Sequence, residues 1–304
     1  MNWKIRTLLL LLCAACAKDK FDITKPPTSA TQAKVGEAYE AALKEMKAQN
    51  YLEATSIFEH IKNTYPYSQY APLSELALAD MQYERDEFLA AANAYGEFVK
   101  AHPSHPKADY AAYRVGLSHY QEKPSDFFLL PPSYERDQTP LKLALDAWNK
   151  FVVSYPKSEL TTKARDLMND CRQRLAAHDR YVAEFYGNHE AWRGAAGRWL
   201  AIADGYGDLD EGRVRGESLW RAALAWRNAQ DPADERNALQ RLLQESPRDP
   251  HRAEAETMLK QIPADAPVKP PEPTRIETEK TPVGPASRGQ HPEQETPSQA
   301  PPGK

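Results

Sequence analysis

The chain has 304 residues, 39 basic and 43 acidic side chains and a net charge of −4. So mixed a surface offers no basic face to a phosphate backbone and argues against nucleic acid as a partner. A hydrophobic content of 41% supports a buried core, while the 13 glycines are few, as long helices require. Eleven of the 25 prolines fall between Pro263 and Pro302, so the last forty-odd residues differ in kind from the rest.

The first stretch carries Lys4 and Arg6, the apolar run Leu8–Leu12, and then Cys13, Ala14, Ala15 and Cys16. A charged start, a short apolar core and small residues mark a secretory signal, and the run is too short for the ~20 residues of a membrane span. Ala14-Ala15-Cys16 resembles the bacterial lipobox, with Cys13 standing where leucine is usual. The resemblance implies cleavage after residue 15 and a lipid on Cys16. More than one acyl chain gives stable anchoring. Ala17 is not the aspartate that retains lipoproteins in the inner membrane, so the resemblance points to the outer membrane. Residues 16–34 mix charge, Pro26-Pro27 and Thr/Ser without a period and read as a tether.

From Val35 the pattern becomes helical and repeats. Ala54, Phe58 and Pro66 define a frame that returns as Ala91, Tyr95, Pro103 and as Ala144, Trp148, Pro156. A fourth copy, Ala195 and Trp199, has Gly207 in the place of proline. The small residue lets two helices approach, the aromatic fills the gap, and proline ends the second helix. Helices are expected over 35–50, 51–65, 72–85, 88–102, 108–121, 141–155, 160–186, 189–205, 213–228, 233–245 and 251–261. Gly116 takes the small position of the fifth helix. The frame resembles the tetratricopeptide (TPR) repeat of ~34 residues. The expected fold is therefore all-α, a TPR helix-pair solenoid of about five repeats, with units at 35–71, 72–108, 109–159, 160–212 and 213–262. Prolines 66 and 103 are 37 apart, but 103 and 156 are 53 apart. The surplus of 16 matches an insertion at 123–138 between the helices of the third unit. The fifth unit is degenerate, with Glu235 and Leu239 in the frame. Beyond Pro263 the Pro/Glu/Thr/Gln mixture cannot bury enough apolar surface to offset ordering entropy, and disorder is expected over 263–304.

No catalytic set emerges. His102-Pro103-Ser104-His105 has metal-like spacing but lies in a turn between prolines, and no metal or other cofactor is expected. Cys171, alone in the body, reads as a small buried hydrophobe. The aromatics carry more. Aligned on the repeat, Tyr39, Leu76 and Tyr113 share one position, and Met46, Tyr83 and Tyr120 another. In TPR proteins such positions line the concave groove, so Tyr39, Tyr83, Tyr113 and Tyr120, with Tyr67 and Tyr70 at the first inter-unit turn, are candidates for holding an extended peptide. In the insertion, Phe127-Phe128-Leu129-Leu130 either docks on the solenoid or forms a partner-binding patch.

A further set of marks is more specific than the frame: Tyr65-Pro66-Tyr67 with Tyr70, and Asp109-Tyr110-x-x-Tyr113-x-x-Gly116-Leu117. To these are added Phe127-Phe128 and Arg136-Asp137 in the insertion, Tyr155-Pro156-x-Ser158, Arg174-Leu175-Ala176 and Val182-Ala183-Glu184-Phe185-Tyr186. Over 34–207 the chain thereby resembles the BamD (ComL/YfiO) family, TPR lipoproteins of the outer-membrane β-barrel assembly machine. The resemblance implies a non-enzymatic scaffold on the periplasmic face. Its C-terminal units would hold the POTRA region of a BamA-like barrel subunit. Its N-terminal units would receive C-terminal signals of unfolded outer-membrane proteins, and other assembly lipoproteins are possible partners. Trp192 and Arg198 match the family's Ala-Trp-x5-Arg on the barrel-subunit side. With Phe127, Phe128 and Arg136 they are the partner-interface candidates. The frame alone also fits a TPR lipoprotein of peptidoglycan synthesis or pilus secretin assembly; the insertion and the 182–186 string separate the two.

Overall fold

The computed structural model describes residues 29–263. The leader, Cys16 and the Pro-rich tail lie outside them. Eleven α-helices and no strand occur among the described residues: α1 Ser29–Lys47, α2 Tyr51–Thr64, α3 Tyr70–Glu84, α4 Phe88–Ala101, α5 Ala108–Gln121, α6 Thr139–Ser154, α7 Thr161–Asn188, α8 Trp192–Tyr206, α9 Arg213–Asn228, α10 Pro232–Glu245 and α11 Arg252–Gln261. Each helix packs on the one before it and the one after it, and α1 also meets α3. The first helix opens six residues before Val35, so residues 29–34 are helix rather than tether.

One turn recurs four times, at the first three junctions between units and again between α10 and α11. At Tyr65, His102, Tyr155 and Ser246 the chain leaves the helix with φ between −126° and −132° and ψ between 55° and 62°. Each of these residues donates its amide to the carbonyl four residues back, at 2.8–2.9 Å. Proline follows, where no amide is available to continue the ladder. Three residues past the junction stand Ser68, His105, Ser158 and Asp249. Their side chains accept from the amides of Tyr70, Lys107, Leu160 and His251, at 3.2, 3.1, 3.3 and 2.8 Å. Three different residue types thus satisfy the same orphan amide at the next helix start. His102 and His105 are absorbed by this turn: His102 Nε2 lies 2.9 Å from Glu75 Oε2, and both rings pack on Phe98.

The turns inside units are equally uniform and need no glycine. Gln49, Asp86, Glu190 and Gln230 all sit in the left-handed region, with φ between 56° and 61°. The amides of these residues and of their successors close back on the preceding helix. Unit three lacks this turn because the insertion replaces it.

The frame is the core. Ala54, Phe58, Ala91, Tyr95, Ala144 and Trp148 are wholly buried, and Ala195 and Trp199 nearly so. Each large side chain removed from water stabilises by roughly 1.5–3 kcal/mol. Between α5 and α6 the fit leaves no room for a further atom. Trp148 Nε1 donates to the Tyr113 carbonyl at 3.1 Å, and a Cβ on Gly116 would stand 2.5 Å from the same nitrogen. In the degenerate unit Glu235 is buried because Arg227 Nε donates to it at 2.8 Å. At the fourth junction a Cβ on Gly207 would collide with the Ala203 carbonyl, and the chain turns through left-handed Asp210, Glu211 and Gly212 instead.

Gly116→Ala should cost about 1–3 kcal/mol by forcing the Trp148 indole out of place. Gly197→Ala, on a helix face with nothing within 4 Å, should be neutral or gain up to ~1 kcal/mol. Urea unfolding of the two variants side by side measures the contrast.

Candidate functional site

The tyrosine candidates separate into three groups. Tyr39 and Tyr70 meet at 5.4 Å between ring centroids, and Tyr39 also lies 5.6 Å from Phe58. Tyr70 can lie there because Gly36 has no Cβ, which would stand 2.8 Å from its hydroxyl. Tyr67 stands apart from this pair and is 69% exposed. Tyr83, on α3, carries the Arg114 guanidinium 3.8 Å from its ring and accepts at its hydroxyl from Gln121 Nε2 at 2.9 Å. Tyr120, on α5, donates to Asp170 Oδ2 at 2.8 Å, and Lys123 Nζ sits 3.9 Å from its ring. Burial, then the bond to Asp170, pushes the Tyr120 phenol up to about 12.

Tyr113 leaves the groove set. It is 3% exposed and packs at 6.2 Å on Trp148 and 5.9 Å on Phe151. Its equivalent, Leu76, is also buried, so this repeat position faces the core in both units.

Between these groups the structure places a polar cluster that the repeat alignment missed. Asp80 Oδ1 accepts from Tyr95 at 2.5 Å and from Tyr110 at 2.8 Å. Arg114 Nε donates to the Tyr95 hydroxyl at 2.9 Å, and its guanidinium lies 3.7 Å from Asp80. The Arg114 and Asp80 side chains are mostly buried. Burial, then the Asp80 carboxylate, holds both phenols well above their ordinary value. The signal was a lone Asp80 inside the apolar run of α3 with an arginine on α5. The cluster ties α3, α4 and α5 together and fixes the orientation of Tyr83 through Arg114.

The insertion is anchored at its base and bare at its tip. Gln138 is buried and donates from Nε2 to the carbonyls of Ser133 and Arg136, both at 2.7 Å. Arg136 holds the Ser125 carbonyl, and Asp137 Oδ1 accepts from the Thr139 amide at 2.9 Å. A 3₁₀ turn, Ser133–Glu135, packs on α7, where Tyr134 meets Tyr181 at 5.6 Å. Beyond this base Phe127, Phe128, Leu129 and Leu130 are 51, 84, 72 and 47% exposed, so the run does not dock on the repeats. Beside it opens a cleft of ≈ 320 Å³ lined by Lys123, Asp170, Gln173 and Arg174.

The last two candidates meet at the α7–α8 corner. A Cβ on Gly194 would stand 2.8 Å from Tyr186 Cδ1, so the glycine lets Tyr186 lie on α8. Arg198, one turn on, lies 5.7 Å from the same ring. Trp192 opens α8 half-buried, with the Phe185 and His189 rings 4.2 Å apart and tilted by 35° beside the turn. Among the described residues no cluster of His, Cys, Asp and Glu is placed to hold a metal, and no helix is long and apolar enough to cross a membrane. The Cys171 thiol is buried and pushed up to about 12, chiefly by that burial, which keeps it from being a nucleophile at neutral pH.

Paired helices, an aromatic frame and repeated turns make this a helical-repeat protein of the tetratricopeptide class, and a tetratricopeptide repeat model matches residues 217–249. The family model YfiO, described as an outer membrane lipoprotein, matches residues 31–219, and the chain belongs to that family. Among similar proteins, "Outer membrane protein assembly factor BamD" of Neisseria meningitidis serogroup B is 30% identical over 218 residues, covering 70% of this chain and 80% of that protein. The protein of the same name from Vibrio cholerae is 26% identical over 196 residues, covering 64% of this chain and 81% of its own. That of Haemophilus influenzae is 25% identical over 212 residues, covering 67% and 78%.

Asp80→Ala leaves two buried phenols and a guanidinium without their common acceptor and should cost about 2–4 kcal/mol. Asp80→Asn, which keeps an acceptor, should cost less. Thermal melts of both, with phenol titration by ultraviolet absorbance showing Tyr95 and Tyr110 ionising more readily in the alanine variant, check the assignment.

Proposed function

We propose that this chain is an outer membrane protein assembly factor that works by binding and positioning rather than by catalysis. The observation that carries the reading is the family match over residues 31–219, together with the role printed for the relatives. In this reading Cys16 bears the lipid that holds the protein on the periplasmic face of the outer membrane. The half-buried aromatic and arginine side chains, with exposed Tyr67, serve as interfaces. Trp192 and Arg198 at the α7–α8 corner face the POTRA region of a BamA-like barrel subunit. Tyr39, Tyr67, Tyr70, Tyr83 and Tyr120 receive C-terminal signals of unfolded outer-membrane proteins. Aromatic and arginine side chains of this kind dominate the affinity of protein interfaces. The Asp80–Arg114 cluster supports the reading physically, because a groove wall whose tyrosines are fixed in advance loses less entropy on binding.

Affinity purification from detergent-solubilised membranes should recover a barrel protein with POTRA domains, and Arg198→Glu should lower that recovery about tenfold or more. Cys16→Ala should move the protein from the membrane to the soluble fraction. Recovery of cell-wall enzymes alone, unaffected by Arg198, would contradict the reading.

A further inference from the structure

The junction between units two and three differs from its counterparts in the chemistry of its cap. Ser68, Ser158 and Asp249 cap with oxygen, whereas His105 caps with Nδ1, which accepts from the Lys107 amide at 3.1 Å. Of these side-chain types only imidazole ordinarily gains a proton between pH ~5 and ~8. A ring nitrogen accepts only while it carries no proton. Once the ring is protonated both nitrogens are donors, and the Lys107 amide meets an N–H in place of a lone pair. We infer that His105 makes this junction a proton-sensitive joint, capped at neutral pH and uncapped in acid.

The surroundings give a charged His105 ring little support. It packs edge-on against Phe98 at 5.3 Å and lies 6.5 Å from the His102 ring. Lys107 flanks it in the turn, and Tyr155 and Lys157 face it from the next junction. Asp109, which faces it from α5, is already engaged: Oδ1 accepts from the Tyr110 amide and Oδ2 from the Ser158 hydroxyl, both at 2.7 Å. Glu75 on α3 is held at 2.9 Å by His102, where it can pair with that ring once protonated, so His102 is not the source of the loosening. Burial, then His102 and Lys107, keeps the His105 imidazole below its ordinary value. The cap therefore contributes in full above pH ~6.5 and is lost as the pH falls through the lower value of the folded chain. The helix behind the cap, α5, carries Tyr110 and Arg114, which join Asp80 on α3 and Tyr95 on α4. Fraying its start loosens the tie between the first two units and the rest.

The test uses the purified full chain. Nitrogen-15 NMR between pH ~7.5 and ~4.5 follows the Lys107 amide and the His105 ring together. A shared midpoint below that of a free imidazole is expected. Across it, protection of the 107–111 amides against hydrogen exchange, with intrinsic rates divided out, should fall about fivefold or more. The serine-capped starts of α3 and α7 should keep their protection. His105→Ser supplies the cap that Ser68 and Ser158 give elsewhere, so it should abolish the loss and preserve the neutral-pH protection. His102→Gln should leave the loss as it is. A Lys107 amide that does not follow the His105 ring overturns the inference, as does a loss of protection common to all three helix starts. A loss that survives in His105→Ser, or disappears with His102→Gln, overturns it equally. The titration of the unsubstituted chain decides the matter should His105→Ser fail to fold.

Discussion

The structure depends on one contact repeated along the chain: an aromatic ring of a second helix set against a small residue that lets the helices close. At α5 and α6 it is most exacting, since Trp148 occupies the volume that a Cβ on Gly116 would need. Because each helix packs mainly on its neighbours in sequence, every unit must satisfy this contact locally. Phe58, Tyr95, Trp148, Trp199 and Leu239 fill the same place with side chains of four sizes, all buried.

Everything else follows from keeping that spacing. The turn shared by the first three unit junctions and the α10–α11 link holds one backbone geometry with Ser, His, Ser or Asp as its cap, and the intra-unit turn holds left-handed Gln, Asp, Glu and Gln where glycine would be easier. Such residues bear a cost of about 1–2 kcal/mol each in that region. Tertiary closure of the helix pairs offsets it. In the proposed role, binding falls to what the frame leaves free: half-buried tyrosines on the first helices, the α7–α8 corner, and the loop that interrupts unit three.

Much of this was legible in the sequence. The small–aromatic–breaker spacing located the helix pairs, and the 16-residue surplus between Pro103 and Pro156 located the insertion. Other features were not. The 37-residue alignment put Tyr113 beside Tyr39 in a groove, whereas its companion Leu76, an apolar residue, was the better guide to an inward-facing position. Asp80 and Arg114 lie 34 residues apart and became partners only when α3, α4 and α5 were packed, because no periodicity encodes which polar residues will meet. Ser29–Lys34 read as tether for want of apolar residues, yet they extend α1 as a helix. Exposure of Phe127–Leu130 was also open, since hydrophobicity alone argues for burial and only the anchored base around Gln138 shows why the tip stands clear.

The central claim of the proposed role is that the barrel subunit is held at the α7–α8 corner and not along the regular frame. Hydrogen–deuterium exchange of the full chain, alone and bound to the barrel subunit recovered with it, tests this directly. The account predicts new protection at the α7–α8 corner around 182–198, with the α2 and α4 frame around Phe58 and Tyr95 unchanged. Protection confined to α2 and α4, with the corner exchanging as in the free chain, would contradict it.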